Sequence, residues 1–170
     1  TMTDFTETNQ PEWQSQIDNI EKVIISSTTN IGSNAFKGAT SLKSVILSDN
    51  INTIGDNAFN GCSQLTTIEL KESLITIGTN AFTSTGLTQI IIPSKVITIG
   101  DSAFNSQSLT TIEFKGIKEP SSCSTSAFTT SVTEVKVPIE YGDNIFRGEI
   151  PRSDGNCGDG CTFKYYHNTD

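Results

Sequence analysis

The apolar positions of the chain recur with a period of 22 to 24 residues. Each period contains an Ala-Phe dipeptide, and in the first four copies an Ile-Gly pair stands just ahead of it. The dipeptides are Ala35-Phe36, Ala58-Phe59, Ala81-Phe82, Ala103-Phe104 and Ala127-Phe128. Because two interleaved motifs do not recur in this way by chance, the chain is predicted to be an array of stacked repeats.

A second motif follows each Phe, with apolar residues at positions i, i+3 and i+5. Its copies are Leu42/Val45/Leu47, Leu65/Ile68/Leu70, Leu87/Ile90/Ile92, Leu109/Ile112/Phe114 and Val132/Val135/Val137, after an incomplete copy at Ile20/Val23/Ile25. The last two apolar residues flank one outward position, which is the period of a short strand with one buried face. Such strands are stable only when stacked on similar neighbours, so a solenoid with a parallel sheet is predicted.

The Ile-Gly-x-x-Ala-Phe motif predicts the inside of each coil. The Phe rings are expected to stack as a column, with the small Ala allowing close approach of the coils. The Gly suits either a tight bend with positive φ or a close backbone approach. Asn52-Thr53-Ile54 exemplifies a second extended piece in each coil. The residue before Ala is expected to cap a short helical turn, at Asn34, Asn57, Asn80, Ser102 and Ser126.

Composition and charge exclude nucleic acid and a membrane-spanning segment from the expectations. The 170 residues carry a net charge of −8, and the eleven basic residues are scattered. Nucleic acid is therefore excluded as an expected partner, because phosphate contacts need clustered Lys and Arg. No apolar run approaches the ~20 residues of a membrane-spanning helix, so no transmembrane segment is expected.

These motifs resemble the BspA-like leucine-rich repeats of surface proteins from oral and gut bacteria and parasitic protists. The best match runs from Ile54 to Leu70, with Gly61-Cys62 in place, and Pro93 and Pro138 stand where that family often has Pro. The resemblance implies a leucine-rich-repeat solenoid of the α/β horseshoe class, dominated by β-structure. It implies a right-handed coil with a parallel β-sheet on one face and short helical turns, and a location outside the cell or on its surface.

Three regions are expected. Residues 1–19 are similar to the lead-in that precedes a repeat array in this family, and residues 20–138 are the array of about five units. Residues 139–170 are interpreted as a C-terminal cap and the start of a further module, because Cys157-Gly158-Asp159-Gly160-Cys161 looks like the head of another lead-in. A longer protein with tandem arrays is therefore expected.

The cysteines and the single histidine offer little chemistry. Cys62 and Cys123 lie more than two coils apart, too far for a disulfide, and both are expected to be buried thiols. Cys157 and Cys161 are predicted to form a disulfide, with free thiols as the alternative.

Zinc and calcium sites are disfavoured because their ligand sets are incomplete. His167 is expected to be frayed. No catalytic motif, metal site or cofactor is predicted.

The outward positions of the strands are the predicted binding surface. They are Lys22, Ile24, Ser44, Ile46, Thr67, Glu69, Gln89, Ile91, Thr111, Glu113, Glu134 and Lys136. The isoleucines among them stand out, because they are expected to face water. They indicate either β-propensity alone or a patch for a partner or a neighbouring module. Thr53, Thr76 and Thr98 also align, which fits a solvent-facing strand edge or a plane that binds sugar or ice.

The sequence thus predicts a non-enzymatic interaction module at the cell surface or secreted from the cell. The resemblance implies adhesion to host matrix proteins or cells, with fibronectin and fibrinogen as candidates at the level of the family. A structural spacer or self-associating coat module is the first alternative. Carbohydrate binding by the Thr-rich face is the second.

Overall fold

The structure is a computed structural model that describes residues 11–116, 122–124, 126–129 and 131–137, together with the backbone of residues 165–167. The chain winds into a solenoid of about five coils. Each coil contributes one strand to a front sheet and one short strand to a side sheet. The side sheet is continuous and parallel, in the order β10-β8-β6-β4-β2. Its strands are β2 (Asn30–Ile31), β4 (Thr53–Ile54), β6 (Thr76–Ile77), β8 (Thr98–Ile99) and β10 (Ser122–Cys123).

The front sheet consists of two separate parallel segments, in the orders β1-β3-β5 and β12-β11-β9-β7. The strands are β1 (Lys22–Ile25), β3 (Ser44–Leu47), β5 (Thr67–Ile68), β7 (Gln89–Ile92), β9 (Thr111–Phe114), β11 (Glu134–Val137) and β12 (Tyr165–His167). Among the side chains that the structure describes, the i+3 and i+5 apolar positions are buried except for the half-buried Val23 and Ile68, so the apolar period predicted from the sequence is confirmed.

The break between β5 and β7, which we call the seam, coincides with a change in repeat length. Leu65 stands six positions after Phe59, whereas Leu87 stands five positions after Phe82. The segment before β7 is therefore one residue shorter than the segment before β5. Ile68, beside the seam, is half-buried although its repeat equivalents Val45 and Ile90 are buried. The seam thus interrupts the front sheet while the side sheet passes it unbroken.

A column of stacked aromatic rings runs through the core. Consecutive rings from Phe36 to Phe128 lie 5.3 to 5.5 Å apart between centroids, with interplanar angles of 4 to 13°. These distances lie within the range in which aromatic pairs add to the stability gained by burial. The predicted phenylalanine column is therefore confirmed.

Trp13 extends this column by one ring at its N-terminal end. Its ring stacks on Phe36 at 5.7 Å, and its Nε1–H donates a hydrogen bond to the carbonyl of Ala35 at 3.1 Å. The same carbonyl position in the next coil, Ala58 O, accepts the N–H of Phe36 at 2.8 Å. The indole thus supplies both the ring and the donor that a preceding coil would supply. A 3-10 helix over Gln14–Asn19 follows Trp13 and buries Ile17.

The corner around each Ala-Phe is built from turns, so the predicted helical turn with an Asn or Ser cap is wrong at the described positions. Asn34, Asn57, Asn80 and Ser102 have φ between 53 and 61°. A capping residue needs an extended φ, whereas Asn is favoured here because it tolerates the left-handed region better than most residues. Apart from the 3-10 helix Gln14–Asn19, the described part of the chain contains no helix.

The glycines of the Ile-Gly pairs are required by close approach rather than by positive φ. A Cβ built on Gly55 would lie 2.6 Å from the backbone nitrogen of Ser33 in the preceding coil. A Cβ on Gly100 would lie 2.6 Å from the backbone nitrogen of Thr79. Among the described residues, the glycines with positive φ are instead Gly38 and Gly61, on the other side of the Phe residues. Of the two alternatives left open by the sequence, close approach is therefore the correct one.

The C-terminal strand β12 adds to the far edge of the front sheet. Tyr165 pairs with Val135 and His167 with Val137, in parallel register. The expectation that the chain is frayed at His167 is therefore wrong for the backbone of residues 165–167, because pairing with β11 fixes it. Cys157 and Cys161, and the disulfide predicted between them, lie outside the described residues.

Cys62 is buried as predicted. Its Sγ donates to the carbonyl of Phe36 at 3.1 Å, and burial raises its pKa to about 12. A thiol with such a pKa stays protonated and is a poor nucleophile. Cys123 is half-buried, and neither of these two cysteines forms a disulfide.

Candidate interaction surface

The strands of the front sheet bring the predicted outward residues into two parallel rows. Across β1, β3 and β5, Lys22 pairs with Ser44 and Ser44 with Thr67, while Ile24 pairs with Ile46. Glu69 follows β5 directly and is the repeat equivalent of Ile46. We call these six residues the N-terminal group. Neighbours within a row lie one strand spacing apart, ~4.8 Å.

A second set of six residues lies beyond the seam, and we call it the C-terminal group. Gln89 pairs with Thr111 and Thr111 with Glu134, while Ile91 pairs with Glu113 and Glu113 with Lys136. The structure thus brings together the predicted residues within each group. No strand ladder joins the two groups, because the seam lies between them.

The N-terminal group presents apolar side chains to solvent. Ile24 is 65% exposed and Ile46 is 47% exposed, and the two lie directly opposite one another on adjacent strands. Ile91, beyond the seam, is 46% exposed. The prediction that these three isoleucines face water is confirmed. Their role in binding remains a prediction, since exposure alone does not distinguish β-propensity from a contact surface.

Ion pairs flank the two isoleucines of the N-terminal group, near the two ends of the strands. Lys43 pairs with Glu21 at 3.0 Å. Lys71 pairs with Glu69 at 2.9 Å and with Asp49 at 3.7 Å, and its hydrogen bond to Glu69 raises the pKa of Lys71. The arrangement is an apolar centre with a charged rim, as is common in protein interfaces.

The C-terminal group is more polar and more internally bonded. Lys115 forms an ion pair with Glu113, and Lys136 pairs with Glu134 at 3.6 Å. The hydroxyl of Thr111 donates to a carboxylate oxygen of Glu134 at 3.2 Å. Because these polar groups already have partners, a ligand would have to displace internal contacts to bind them. The N-terminal group is therefore the better candidate for the centre of an interface.

Two features of the surface were missed in the sequence. Ile75 and Ile97, beside the side sheet, are 41% and 49% exposed. The usable signal was the polar Asn52 at the equivalent position of the preceding coil, since their spacing of two from the buried Ile77 and Ile99 would by itself place all four on one face. The role of Trp13 was missed as well, although it stands 23 positions before Phe36, which is the interval between the first phenylalanines.

Two further properties of the described residues bear on the site. No group of three or more His, Cys, Asp or Glu side chains among them is arranged to hold a metal ion. Within the same residues, no helix has the length and apolar character needed to cross a bilayer.

Comparison with known proteins gives the family. The model of the BspA type leucine rich repeat region matches residues 12–147 with six copies. No curated protein matches the chain. Among solved structures, a leucine-rich repeat protein from Bacteroides ovatus is similar with a TM-score of 0.61 and 26% identity, over 71% of this chain and 34% of that protein.

Two more distant structures share the fold. The pneumococcal vaccine antigen PcpA has a TM-score of 0.57 and 23% identity, over 69% of this chain and 30% of that one. A leucine-rich repeat protein from Eubacterium ventriosum has a TM-score of 0.54 and 18% identity, over 81% of this chain and 47% of that one. This chain therefore spans less than half the length of each of these three proteins. With most of its length matched by the repeat model, the chain belongs to the family of proteins with BspA-type leucine-rich repeats.

Proposed function

We propose that the chain is a non-enzymatic protein-interaction module, located outside the cell or on its surface, that binds host matrix or host-cell proteins. Its binding surface is the front sheet, centred on Ile24 and Ile46 of the N-terminal group. The observation that carries this proposal is the pairing of two solvent-exposed isoleucines on adjacent strands that are flanked by ion pairs. Exposed apolar side chains that adjoin one another are a feature of interaction sites.

The inward and outward positions of the strands support this assignment in different ways. The inward positions are uniformly apolar, because every coil must pack on its neighbours. The outward positions differ from coil to coil, from Ile to Glu to Lys, and no packing requirement fixes them. Specificity for a partner would therefore reside in these outward side chains.

Binding to immobilised fibronectin and fibrinogen, measured by surface plasmon resonance, tests the proposal. We expect Ile46→Asp to weaken binding by at least about fivefold, since replacement of a residue at the centre of an interface costs more than ~1 kcal/mol. Ile97→Asp is the matched control, because Ile97 is 49% exposed and Ile46 is 47% exposed, but Ile46 lies on the front sheet and Ile97 beside the side sheet. Ile97→Asp should leave binding unchanged.

Three outcomes would contradict the proposal. They are no binding to either matrix protein, an equal loss in both variants, or binding that Ile46→Asp does not affect. Sedimentation of the unliganded chain adds a separate measurement. Concentration-dependent dimers that Ile46→Asp abolishes, without binding to matrix proteins, would favour the self-associating coat module instead.

A further inference from the structure

A groove of about 380 Å³ lies beside the side sheet, across the first three coils. Its floor is the main chain at Gly32, Gly55 and Gly78. One wall carries Asn30, Thr53 and Thr76 from the side sheet, and the other carries Ser33 and Asp56. The groove is on a different face from the N-terminal group, so its function is separate from the one proposed above.

The coil-to-coil packing fixes the floor of the groove. A Cβ on Gly78 would lie 2.7 Å from the backbone nitrogen of Asp56, just as a Cβ on Gly55 would collide with the coil before it. Glycine is therefore required at both positions, and no side chain can fill the floor. The Asp56 carboxylate is held in place, because its Oδ1 accepts the N–H of Thr79 at 2.7 Å.

The wall formed by the side sheet presents a regular row of hydrogen-bonding groups. Asn30 pairs with Thr53 and Thr53 with Thr76, so their side chains repeat at the strand spacing of ~4.8 Å. Within the described part of the chain, the side chains of Asn30 and Thr76 make no hydrogen bond, and the hydroxyl of Thr53 donates only to Asn52 at 3.4 Å. These amide and hydroxyl groups can therefore both donate to and accept from a ligand.

The chemistry of the lining excludes several classes of ligand. None of the residues lining the groove is a Lys, Arg, His or aromatic residue, and the one charged side chain is Asp56. Anionic ligands are disfavoured because they would meet a carboxylate without a compensating cation. An extended peptide is disfavoured as an added strand, because β4 is already paired with β2 and β6, and the hydroxyl of Thr28 already bonds the N–H and carbonyl of Asn30 at the edge of β2.

A neutral ligand with many hydroxyl groups satisfies all of these conditions. We propose that the groove binds neutral oligosaccharides, which would exchange hydrogen bonds with Asn30, Thr53, Thr76 and Asp56 along the solenoid axis. The binding is expected to be weak, since the residues that line the groove provide hydrogen bonds but no aromatic surface for the sugar rings. A chain of sugars would contact successive coils, so a longer oligosaccharide should bind more tightly than a monosaccharide.

Isothermal titration calorimetry with defined sugars tests this inference. The probes are maltohexaose, cellohexaose and mannohexaose, with the hexamer of galacturonic acid as the anionic control and an unglycosylated hexapeptide of Ser and Thr as the peptide control. We expect at least one neutral hexaose to bind and both controls to fail. Thr76→Val keeps the β-branched shape but removes the hydroxyl, and should weaken binding about 3- to 10-fold, as expected for loss of one hydrogen bond.

Thr98→Val is the matched control, because Thr98 continues the same row on β8 but does not line the groove. It should leave sugar binding unchanged, as should Ile46→Asp on the front sheet, and circular dichroism should show native folding in all three variants. The inference is overturned if no neutral hexaose binds, if the galacturonate hexamer or the peptide binds as well, or if Thr98→Val weakens binding as much as Thr76→Val. Loss of protein binding in Ile46→Asp with sugar binding intact would separate the two proposals.

Discussion

At the corner of each coil, single side chains determine the path of the backbone. Asn57 holds a φ of 55°, a conformation that costs most residues roughly 1–2 kcal/mol. Its side-chain oxygen accepts a hydrogen bond from the amide of Asn60 at 3.0 Å, so the residue is tied into its own turn. Asn80 is tied in the same way by the hydroxyl of Thr83 at 3.3 Å. The recurring Asn is thus explained by backbone conformation and by a local hydrogen bond.

The thiol of Cys62 gives a prediction at the same scale. Because burial raises its pKa to about 12, the thiolate of Cys62 is a minor species in the native protein, and we expect iodoacetamide to label it far more slowly than in the unfolded chain at both pH 8 and pH 10. In urea the thiol has its ordinary pKa of 9.0, so labelling should be faster at both pH values. Mass spectrometry of the peptide that contains Cys62 measures both rates. Rapid native labelling at pH 8 would contradict the assignment of a buried, protonated thiol.

The same pKa shift affects stability at alkaline pH. Between the ordinary thiol pKa of 9.0 and about 12, the unfolded chain releases the Cys62 proton and the native chain retains it. The free energy of unfolding should therefore fall as pH rises through this window. The raised pKa of Lys71 acts in the same direction, since above the ordinary pKa of 10.5 the unfolded chain releases the Lys71 proton while the native ion pairs with Glu69 and Asp49 favour its retention.

At the scale of strands and turns, the coil-to-coil distance is the controlling quantity. Side-sheet strands come close enough that the corners after them admit only glycine at Gly55, Gly78 and Gly100. The corners after the phenylalanines are less tightly packed. Gly38 has a φ of 79° but nothing within 4 Å of a Cβ built on it. Glycine is therefore favoured at two positions of one repeat for different physical reasons: close approach of backbone after the side-sheet strand, and a left-handed φ after the phenylalanine.

These two reasons predict different costs for the same substitution. Gly55→Ala places a methyl group 2.6 Å from backbone, and should destabilise the protein by roughly 2–3 kcal/mol or more, as overpacking does. Gly38→Ala introduces only left-handed strain and should cost about 1–2 kcal/mol. Urea unfolding followed by circular dichroism measures both. An equal or smaller cost for Gly55→Ala would show that the coils can separate there at little expense.

The strands were predictable from the sequence because burial on one face leaves a strict apolar period, as at Val45 and Leu47. The phenylalanine column was predictable for the same reason. The corners were not, since Asn34 fits a helix cap and a left-handed turn equally well by residue type. The seam could be located in the sequence from the shorter spacing between Phe82 and Leu87. Its effect on strand pairing could not be predicted, because that depends on how neighbouring coils align. On the surface, exposure of Ile46 was predictable, whereas the partners of Glu113 and Glu134 were not.

At the scale of the whole molecule, each coil contacts only its neighbours, so stability is close to a sum of coil and interface contributions. The first coil lacks a complete predecessor among the described residues, and Trp13 takes that place at the aromatic column. Elsewhere on the same coil, the hydroxyl of Thr28 accepts the N–H of Asn30 at 3.2 Å and donates to its carbonyl at 2.9 Å. These contacts satisfy backbone groups at the start of the side sheet.

Substitution of Trp13 measures how much its ring and its hydrogen bond contribute to the free energy of unfolding. Trp13→Phe keeps a ring on Phe36 but loses the bond to Ala35, and should cost about 0.5–1.5 kcal/mol. Trp13→Ala also removes the ring and should cost roughly 2–3 kcal/mol, below the range for fully buried aromatics because Trp13 is half-buried.

Hydrogen exchange should locate the damage in Trp13→Ala. Amide protection is expected to fall most in β1 and β3 and least in β9, because the effect decays from coil to coil. A uniform loss of protection across all strands would instead indicate that the solenoid unfolds as one unit.

At the turns around each Ala-Phe, the hydrogen bonds between coils run in one sense. The N–H groups of Asn34, Phe36 and Gly38 donate toward the C-terminal neighbour, and the same holds in the following coils. Peptide dipoles of ~3.5 D are therefore aligned along the solenoid axis, in the sense opposite to those of an α-helix. The N-terminal end of this column is its negative pole, ending in the carbonyl of Ala35. An indole donor at Trp13 satisfies that pole, which a phenylalanine in its place could not do.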